Sequence, residues 1–213
     1  MKTLLIGGAR SGKSALALRW SNERASSVCT LVTGIETDPE MAARIAAHRR
    51  ERPAHWRVRE EPVQLGRAVR EEGQALAAGP NAPSPDARFP GSPPKAARAP
   101  LLLIDCLTLW ISNCLWPPAQ VIDGNDYATW HHERDDFLDA LRACAADVII
   151  VTNEVGAGIV PNNAASRVFR DEQGWLNQAV AAACDEVFFV TAGLPMCLKP
   201  SQPTSGRTTT QPP

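Results

Sequence analysis

The sequence predicts an α/β fold in which helices flank a mostly parallel sheet. Five short apolar runs are continuous rather than alternating, as expected of strands that are buried on both faces. Helical patterns lie between these runs, and strands that alternate with helices form parallel sheets. The predicted strands are residues 3–6, 29–33, 101–105, 148–152 and 187–191. The predicted helices are residues 13–23, 39–51, 63–76, 127–145 and 165–184.

A glycine-rich loop connects the first predicted strand to the first predicted helix. Residues 7–14 read GGARSGKS and match G-x-x-x-x-G-K-[ST], and this strand–loop–helix context is typical of a phosphate-binding loop. Glycines let successive backbone N–H groups turn toward phosphate oxygens, and the helix N-terminus favours the same anion. In such a loop Lys13 contacts the β- and γ-phosphates, and the Ser14 hydroxyl ligates Mg²⁺. The sequence therefore predicts a P-loop domain that binds a nucleoside triphosphate and Mg²⁺. The candidate loop residues are Gly7, Gly8, Ala9, Arg10, Ser11, Gly12, Lys13 and Ser14.

The size, charge and cysteine content of the chain narrow the class of protein. Its 213 residues suit one domain with a substantial core. A formal net charge of −1 argues against a nucleic-acid partner, which calls for a basic surface. No stretch approaches the roughly 20 apolar residues that span a bilayer, so we expect no membrane span. The six cysteines show no metal-ligand spacing, which favours reduced thiols and a cytoplasmic protein.

Two segments fall outside this α/β pattern. Residues from about 77 to 100 are rich in Pro, Ala, Gly and Ser, and the tail at 199–213 has the same character. Such compositions bury too little apolar surface to offset the entropy of ordering. We therefore expect one domain over residues 1–198, with a mobile insertion at about 77–100 and a disordered tail.

A carboxylate ends the third predicted strand. In P-loop proteins an aspartate at this position lies beside the loop and holds Mg²⁺, so Asp105 is a second candidate metal ligand after Ser14. The alternative role for Asp105 is an N-cap or a turn residue.

The predicted helix at 39–51 carries a histidine among arginines. Arg44 and His48 are four residues apart and share one helical stripe, close to Arg49, Arg50 and Arg52. Most basic helical faces are simply solvated, and the spacing alone favours that interpretation. A cationic cluster with one imidazole also suits a triphosphate, because the arginines neutralise phosphate oxygens and a neutral imidazole can attack the α-phosphorus.

Polar residues and a glycine-rich loop follow the fourth predicted strand. Residues at the carboxyl end of a strand are well placed to line a ligand site, so Asn153 and Glu154 are candidates to face substrate or metal. The spacing is equally compatible with both residues capping the next element.

Three segments together resemble one known family. They are the loop at 7–14, the segment DPEMAARIAAHRRERPAHW at 38–56 with the Arg-Glu-Glu-Pro that follows, and residues 151–193. In this order they resemble the bifunctional adenosylcobinamide kinase/adenosylcobinamide-phosphate guanylyltransferase family of cobalamin biosynthesis. The resemblance covers nearly the whole chain except the Pro/Ala-rich insertion and the tail.

The resemblance implies an activity, a mechanism and an assembly. The family has a RecA-like α/β core, forms a homotrimer, and phosphorylates the aminopropanol hydroxyl of adenosylcobinamide, with ATP and GTP as nucleotide substrates. It then transfers GMP from GTP to the new phosphate through a GMP-histidine intermediate, and the matching histidine here is His48. Some relatives carry a second histidine where this chain has Ala47. Besides the loop, the implied nucleotide contacts are Val32, Thr33, Gly34, Arg49, Arg50, Glu51, Arg52, Glu60 and Asp105.

Two other functions remain open on the sequence. A small-molecule kinase with the same P-loop would lack guanylyl transfer. A nucleotide-binding regulator would hydrolyse GTP slowly and without dependence on cobinamide.

Overall fold

The computed structural model describes residues 1–78, 98–117 and 127–201, and it consists of one seven-stranded sheet with flanking helices. The strands are β1 (Lys2–Gly7), β2 (Val28–Val32), β3 (Arg57–Glu60), β4 (Leu101–Asp105), β5 (Asp147–Asn153), β6 (Glu186–Thr191) and β7 (Leu194–Lys199). The helices are α1 (Lys13–Arg24), α2 (Pro39–Glu51), α3 (Leu65–Ala77), α4 (Leu107–Leu115), α5 (Tyr127–Ala143) and α6 (Ala164–Ala183).

The strand order in the sheet is β3-β2-β4-β5-β1-β6-β7. Every neighbouring pair is parallel except β6 and β7, which form an antiparallel hairpin. The carboxyl ends of the parallel strands therefore meet at one edge of the sheet, which is where open α/β sheets bind ligands. The predicted class, a mostly parallel sheet flanked by helices, is confirmed.

The two faces of the sheet bury different side chains of the same strands. Leu4 and Leu102 belong to the larger core beneath α3 to α6, whereas their neighbours Leu5 and Leu103 belong to a smaller core that includes residues of α1. Because successive side chains of a strand point to opposite faces, a strand that is covered on both sides is apolar throughout. This packing explains the continuous apolar runs.

The five predicted strands and five predicted helices are all present, and three further elements were not predicted. The strand β3 has the sequence RVRE and lies at the sheet edge, so it shows neither an apolar run nor clean alternation. The helix α4 is buried over most of its surface, so it lacks the polar face that marks an amphipathic helix. The strand β7 returns from β6 through a two-residue turn of Ala192 and Gly193, which both have positive φ.

Lys199, where the predicted tail begins, is the last residue of β7. Its ammonium donates to the carbonyl oxygens of Ala181 (3.1 Å) and Cys184 at the C-terminal end of α6, where the helix dipole favours a cation. Most of the predicted insertion (79–97) and the rest of the tail (202–213) lie outside the described residues. Within the part of the chain that is described, no helix has the length and apolar character to cross a membrane.

Candidate active site

The P-loop between β1 and α1 closes around its own lysine. Arg10 and Gly12 have positive φ (56° and 96°), and the Ser11 N–H donates to the Gly8 carbonyl oxygen at 3.3 Å. The Lys13 ammonium donates to the same carbonyl at 2.6 Å and to Ser11 Oγ at 3.3 Å. The ammonium is thereby held inside the arc of the loop, which is where a phosphate-binding lysine acts.

The turn between β6 and β7 supports the P-loop from behind. The Gly193 N–H donates to the Ser11 carbonyl oxygen at 2.8 Å. A Cβ atom on Gly12 would lie 2.9 Å from Gly193 Cα, and one on Gly7 would lie 2.2 Å from the Val190 carbonyl oxygen. Glycine is therefore required at positions 7 and 12 by close backbone approach, in addition to the positive φ at Gly12.

A cavity of about 640 Å³ opens above the P-loop, between the strand ends and α2. It brings together residues that are far apart in the sequence, and most of the predicted site residues line it. Those that line it are Ala9, Arg10, Ser11, Gly12, Lys13, Ser14, Val32, Gly34, His48, Arg49, Glu51, Arg52, Glu60, Asp105 and Asn153. The predicted residues outside its lining are Gly7, Gly8, Thr33, Arg50 and Glu154.

Charged groups of both signs meet at the floor of this cavity. Arg52 lies 3.8 Å from Asp105 (Nη2 to Oδ2), and their side chains are only 9% and 16% exposed. Burial lowers the pKa of Lys13, while the nearby Asp105 acts to raise it. Burial likewise raises the pKa of Asp105, against the opposing effects of His48, Arg52 and Lys13. Several cations surround one carboxylate, so the floor attracts an anion such as a triphosphate.

Thr33 positions the end of β4 from beneath. It is fully buried, its hydroxyl donates to the Cys106 carbonyl oxygen at 2.6 Å, and the Cys106 N–H donates back to that hydroxyl at 3.2 Å. The Asn113 side chain donates to the Thr33 carbonyl oxygen at 2.7 Å. Burial raises the pKa of the Cys106 thiol to about 11, so this cavity-lining side chain is a neutral thiol at physiological pH.

The helix α2 forms the outer wall of the cavity, and none of its residues is buried. Its N-cap is Asp38, whose carboxylate accepts from the Met41 N–H at 2.8 Å, and Pro39 is the first residue of the helix. Arg44 and His48 line the cavity from the stripe that the sequence predicts. The His48 side chain is 35% exposed, and its Nδ1 lies 3.7 Å from Glu51 Oε2, which is too far for a hydrogen bond.

An ion pair connects α2 to the end of β3. The Arg49 guanidinium donates to Glu60 at 2.6 Å and to Glu36 at 3.3 Å. Arg50, by contrast, is exposed and lies outside the cavity lining. One part of the arginine-rich face therefore borders the cavity and another part is solvated.

The chain matches the family model described as cobinamide kinase/cobinamide phosphate guanyltransferase over residues 3–78 and 92–198. It belongs to this family. The bifunctional adenosylcobalamin biosynthesis protein CobP of Pseudomonas aeruginosa is 41% identical over 200 residues, which cover 93% of this chain and 98% of CobP. The protein CobU of Salmonella typhimurium, with the same description, is 38% identical over 93% of this chain and 100% of its own length.

Solved structures show weaker likenesses. An ATPase of a bacterial type III secretion system is 12% identical with a TM-score of 0.48, over 89% of this chain and 52% of that one. The RadB recombinase is 14% identical with a TM-score of 0.39, over 88% and 73% of the two chains. Scores this low do not bear on the function of this member of the cobinamide kinase family.

Buried polar side chains hold the backbone of Asn153 in place. The sequence did not predict these side chains as part of the site. Its N–H donates to Thr108 Oγ1 at 2.9 Å, and its carbonyl oxygen accepts from Asn177 Nδ2 at 2.9 Å. Asn177 Oδ1 accepts in turn from Thr152 (2.8 Å) and Gln173 (3.0 Å). The available signal was a group of polar residues, Glu172, Gln173 and Asn177, on the same face of α6 as the apolar Leu176 and Val180.

Glu154 lies next to Asn153, but its side chain caps the loop that follows. Its carboxylate accepts from the N–H groups of Gly156 and Ala157 (2.9 Å for Ala157), as in the capping alternative. Its own N–H donates to the Gly7 carbonyl oxygen at 3.0 Å, which ties the end of β5 to the start of the P-loop. The cavity lining also includes Glu40 and Leu109, which were not among the predicted site residues.

Proposed function

We propose that this chain phosphorylates adenosylcobinamide and then transfers GMP from GTP to the adenosylcobinamide phosphate. The observation that carries the proposal is that a single cavity is bordered by a P-loop and by a basic helix with one imidazole. A kinase needs the phosphate-binding loop but no histidine nucleophile. The basic helix α2 supplies what a nucleotidyltransferase needs, namely a nucleophile and cations near the phosphates.

In the kinase step the P-loop holds the triphosphate. Lys13 and the loop N–H groups neutralise the β- and γ-phosphates, and the aminopropanol hydroxyl of the acceptor attacks the γ-phosphorus. The bond from the γ-phosphorus to the β,γ-bridging oxygen breaks, the hydroxyl proton is released to solvent, and the nucleoside diphosphate leaves. Asn153, held at both backbone groups, borders the space from which the acceptor approaches.

The residues at the cavity floor fit Mg²⁺. The Ser14 hydroxyl and the Asp105 carboxylate both line the cavity and offer the hard oxygen ligands that Mg²⁺ prefers. Among the described residues, no group of three or more His, Cys, Asp or Glu side chains could hold a metal ion. Mg²⁺ is usually bound by one or two carboxylates, phosphates and water, so the Ser14 and Asp105 oxygens together with the triphosphate would supply its usual ligands. When bound, Mg²⁺ would neutralise charge on the phosphate oxygens.

In the transfer step His48 acts as the nucleophile. A neutral imidazole nitrogen attacks the α-phosphorus of GTP, a P–N bond forms, and the bond to pyrophosphate breaks. The phosphate of the acceptor then attacks the same phosphorus, the P–N bond breaks, and adenosylcobinamide-GDP forms. Arg44, Arg49 and Arg52 would neutralise the departing pyrophosphate.

The test is incubation with α-labelled GTP and Mg²⁺, followed by denaturing electrophoresis and acid treatment. We expect an acid-labile label on the wild type, no label on His48→Ala, and a normal label on His55→Ala. His55 is a matched control because it is an exposed histidine just beyond α2 that does not line the cavity. A label that survives His48→Ala would contradict the assignment. Wild type that takes no label while binding GTP tightly would point instead to a kinase alone.

We also propose that the chain works in the cytoplasm as a homotrimer. All six cysteines are free thiols, which suits a reducing compartment. The trimer rests on the family resemblance, and light scattering of the purified protein measures it directly.

A further inference from the structure

The arginines near the cavity differ in what they are paired with. Arg49 donates to Glu60 at 2.6 Å. Arg52 lies 3.8 Å from Asp105. Arg44 lines the same cavity, and no carboxylate among the described residues forms an ion pair with it. A guanidinium that is already paired has to leave its carboxylate before it can bind a phosphate, whereas Arg44 can bind one directly.

Arg44 faces the same space as the lysine of the P-loop. Both side chains line the cavity, Lys13 from the P-loop and Arg44 from α2. Burial lowers the pKa of Lys13, and the positive charge of Arg44 acts in the same direction. Burial raises the pKa of Asp105, and Arg44 is one of the cations that oppose this rise. Two like charges that repel each other across an open cavity are stabilised when an anion lies between them.

The spacing of Arg44 and His48 matches the length of a triphosphate. A rise of about 1.5 Å per residue places side chains four residues apart at positions about 6 Å apart along the helix. The α- and γ-phosphorus atoms of a nucleotide are joined through two bridging oxygens and are a similar distance apart. With the His48 imidazole at the α-phosphorus, as proposed above, the side chain one turn earlier on the same stripe reaches the γ-phosphate. This is also a phosphate that the lysine of a P-loop contacts.

We infer that Arg44 binds the γ-phosphate of the nucleotide from α2 and is a catalytic residue of both reactions. This inference deepens the proposed function and rests on it. In the kinase step the guanidinium neutralises the phosphoryl group that is transferred, as an arginine finger does in other P-loop enzymes. In the transfer step the same phosphate belongs to the departing pyrophosphate. No bond to Arg44 forms or breaks in either step, and His48 remains specific to guanylyl transfer.

The first experiment compares the affinities for GTP and GDP in the presence of Mg²⁺ by titration calorimetry. Every protein in it carries His48→Ala, so that no GMP is transferred during the titration. We expect the further change Arg44→Ala to weaken GTP binding about tenfold and to leave GDP binding unchanged, because only the γ-phosphate distinguishes the two nucleotides. Arg19→Ala is the matched control and should change neither affinity. Arg19 is an exposed arginine of α1 that does not line the cavity.

The second experiment measures the rates of the two reactions in proteins that keep His48. Arg44→Ala should lower kcat for phosphorylation of adenosylcobinamide about 100-fold, as removal of one donor to a transition-state anion does in other enzymes. It should also slow the formation of the GMP label. Arg44→Lys keeps the charge but loses the planar fork, so its rates should fall between those of Arg44→Ala and wild type. His48→Ala should form no label and phosphorylate at the wild-type rate.

Each outcome decides between the inference and its basis. Unchanged GTP affinity in Arg44→Ala overturns the inference, and so does an equal weakening of GTP and GDP, because the contact would then not be made to the γ-phosphate. A variant that loses the GMP label but phosphorylates at the wild-type rate also overturns it, since Arg44 would then act in the transfer step alone. Failure of wild type to phosphorylate adenosylcobinamide overturns the proposed function. A loss of affinity for GTP but not for GDP would still establish the contact between Arg44 and the γ-phosphate in that case.

Discussion

The two walls of the cavity are built differently. The packed wall comprises the P-loop and the ends of β4 and β5, and it is fixed by close backbone approach and buried hydrogen bonds. The exposed wall is α2, which has no buried residue and depends on an N-cap and exposed ion pairs. Burial gives the packed wall its rigidity, whereas little tertiary packing opposes local opening of α2. The phosphate-binding half of the site is therefore rigid by construction, and the half with the nucleophile is held more weakly.

The largest effect should come from placing a side chain in the packed wall. A Cβ atom on Gly7 would lie 2.2 Å from the Val190 carbonyl oxygen, whereas one on Gly8 would have no neighbour within 4 Å. Forcing β1 and β6 apart costs stability as overpacking does, by about 3 kcal/mol. We expect Gly7→Ala to lower the free energy of unfolding by about that amount and Gly8→Ala to lower it by less than about 1 kcal/mol. Denaturant titration measures both, and equal values would show that the close approach of β6 does not constrain the end of β1.

The next effect should come from the buried network under Asn153. Asn177→Leu leaves the Asn153 carbonyl oxygen without its donor and deprives Thr152 and Gln173 of an acceptor. An unsatisfied buried polar group costs about 1–3 kcal/mol, and we expect a loss of stability in that range. Because Asn153 would no longer be held in place, kcat for phosphorylation should fall more than the nucleotide affinity does. A variant with reduced stability but wild-type kcat would limit the network to a structural role.

The difference between the packed wall and the exposed wall also explains which features of the site could be predicted from the sequence. The fold class follows from the apolar runs, and the P-loop follows from a local motif whose backbone geometry dictates its residues. The stripe of Arg44 and His48 was visible from helical spacing, but which face meets the cavity depends on how α2 sits over the strand ends. The roles of Thr108 and Asn177 could not be predicted, because both act through contacts with β5 that join distant parts of the chain. The edge strands β3 and β7 were missed because their exposed residues give no burial pattern.

A smaller effect concerns the buried charge of Lys13, which is only 6% exposed. Because burial lowers the pKa of Lys13 below 10.5, the unfolded chain binds this proton more tightly than the folded one, and stability rises as the pH passes from the lowered folded pKa toward 10.5. At pH 7 the buried ammonium therefore costs stability. We expect Lys13→Met to lose nucleotide binding yet to raise Tm by about 2–4 °C, which is what about 1 kcal/mol is worth in a chain of this size.

The gain in Lys13→Met should shrink as the pH approaches 10.5, since the wild-type lysine then loses its proton. Thermal melts at pH 7 and 9.5 without nucleotide test the sign. A variant that melts below wild type at pH 7 would mean that the hydrogen bonds to Gly8 and Ser11 outweigh the burial of the charge.

Removal of the N-cap of α2 should have the smallest effect on global stability. It is also the sharpest test of the exposed wall. Asp38→Ala removes the acceptor for the Met41 N–H, so α2 should fray while the rest of the chain stays folded. We expect hydrogen exchange of the α2 amides to speed up several-fold with no change in Tm, because no residue of the helix contributes to the core. The GMP label on His48 should form more slowly, while nucleotide binding by the P-loop should be unaffected.

Asp38→Asn is the matched control, because an asparagine accepts the same hydrogen bond. The hydrogen bond from Met41 lowers the pKa of Asp38, so the carboxylate cap is intact above the unfolded value of 3.8 and is lost as the pH falls through the lower folded value. Fraying in the wild type should therefore begin only below pH 3.8, whereas Asp38→Ala should fray at every pH. If Asp38→Ala also lowered Tm by several degrees, α2 would be part of the cooperative unit and the distinction between the two walls would fail.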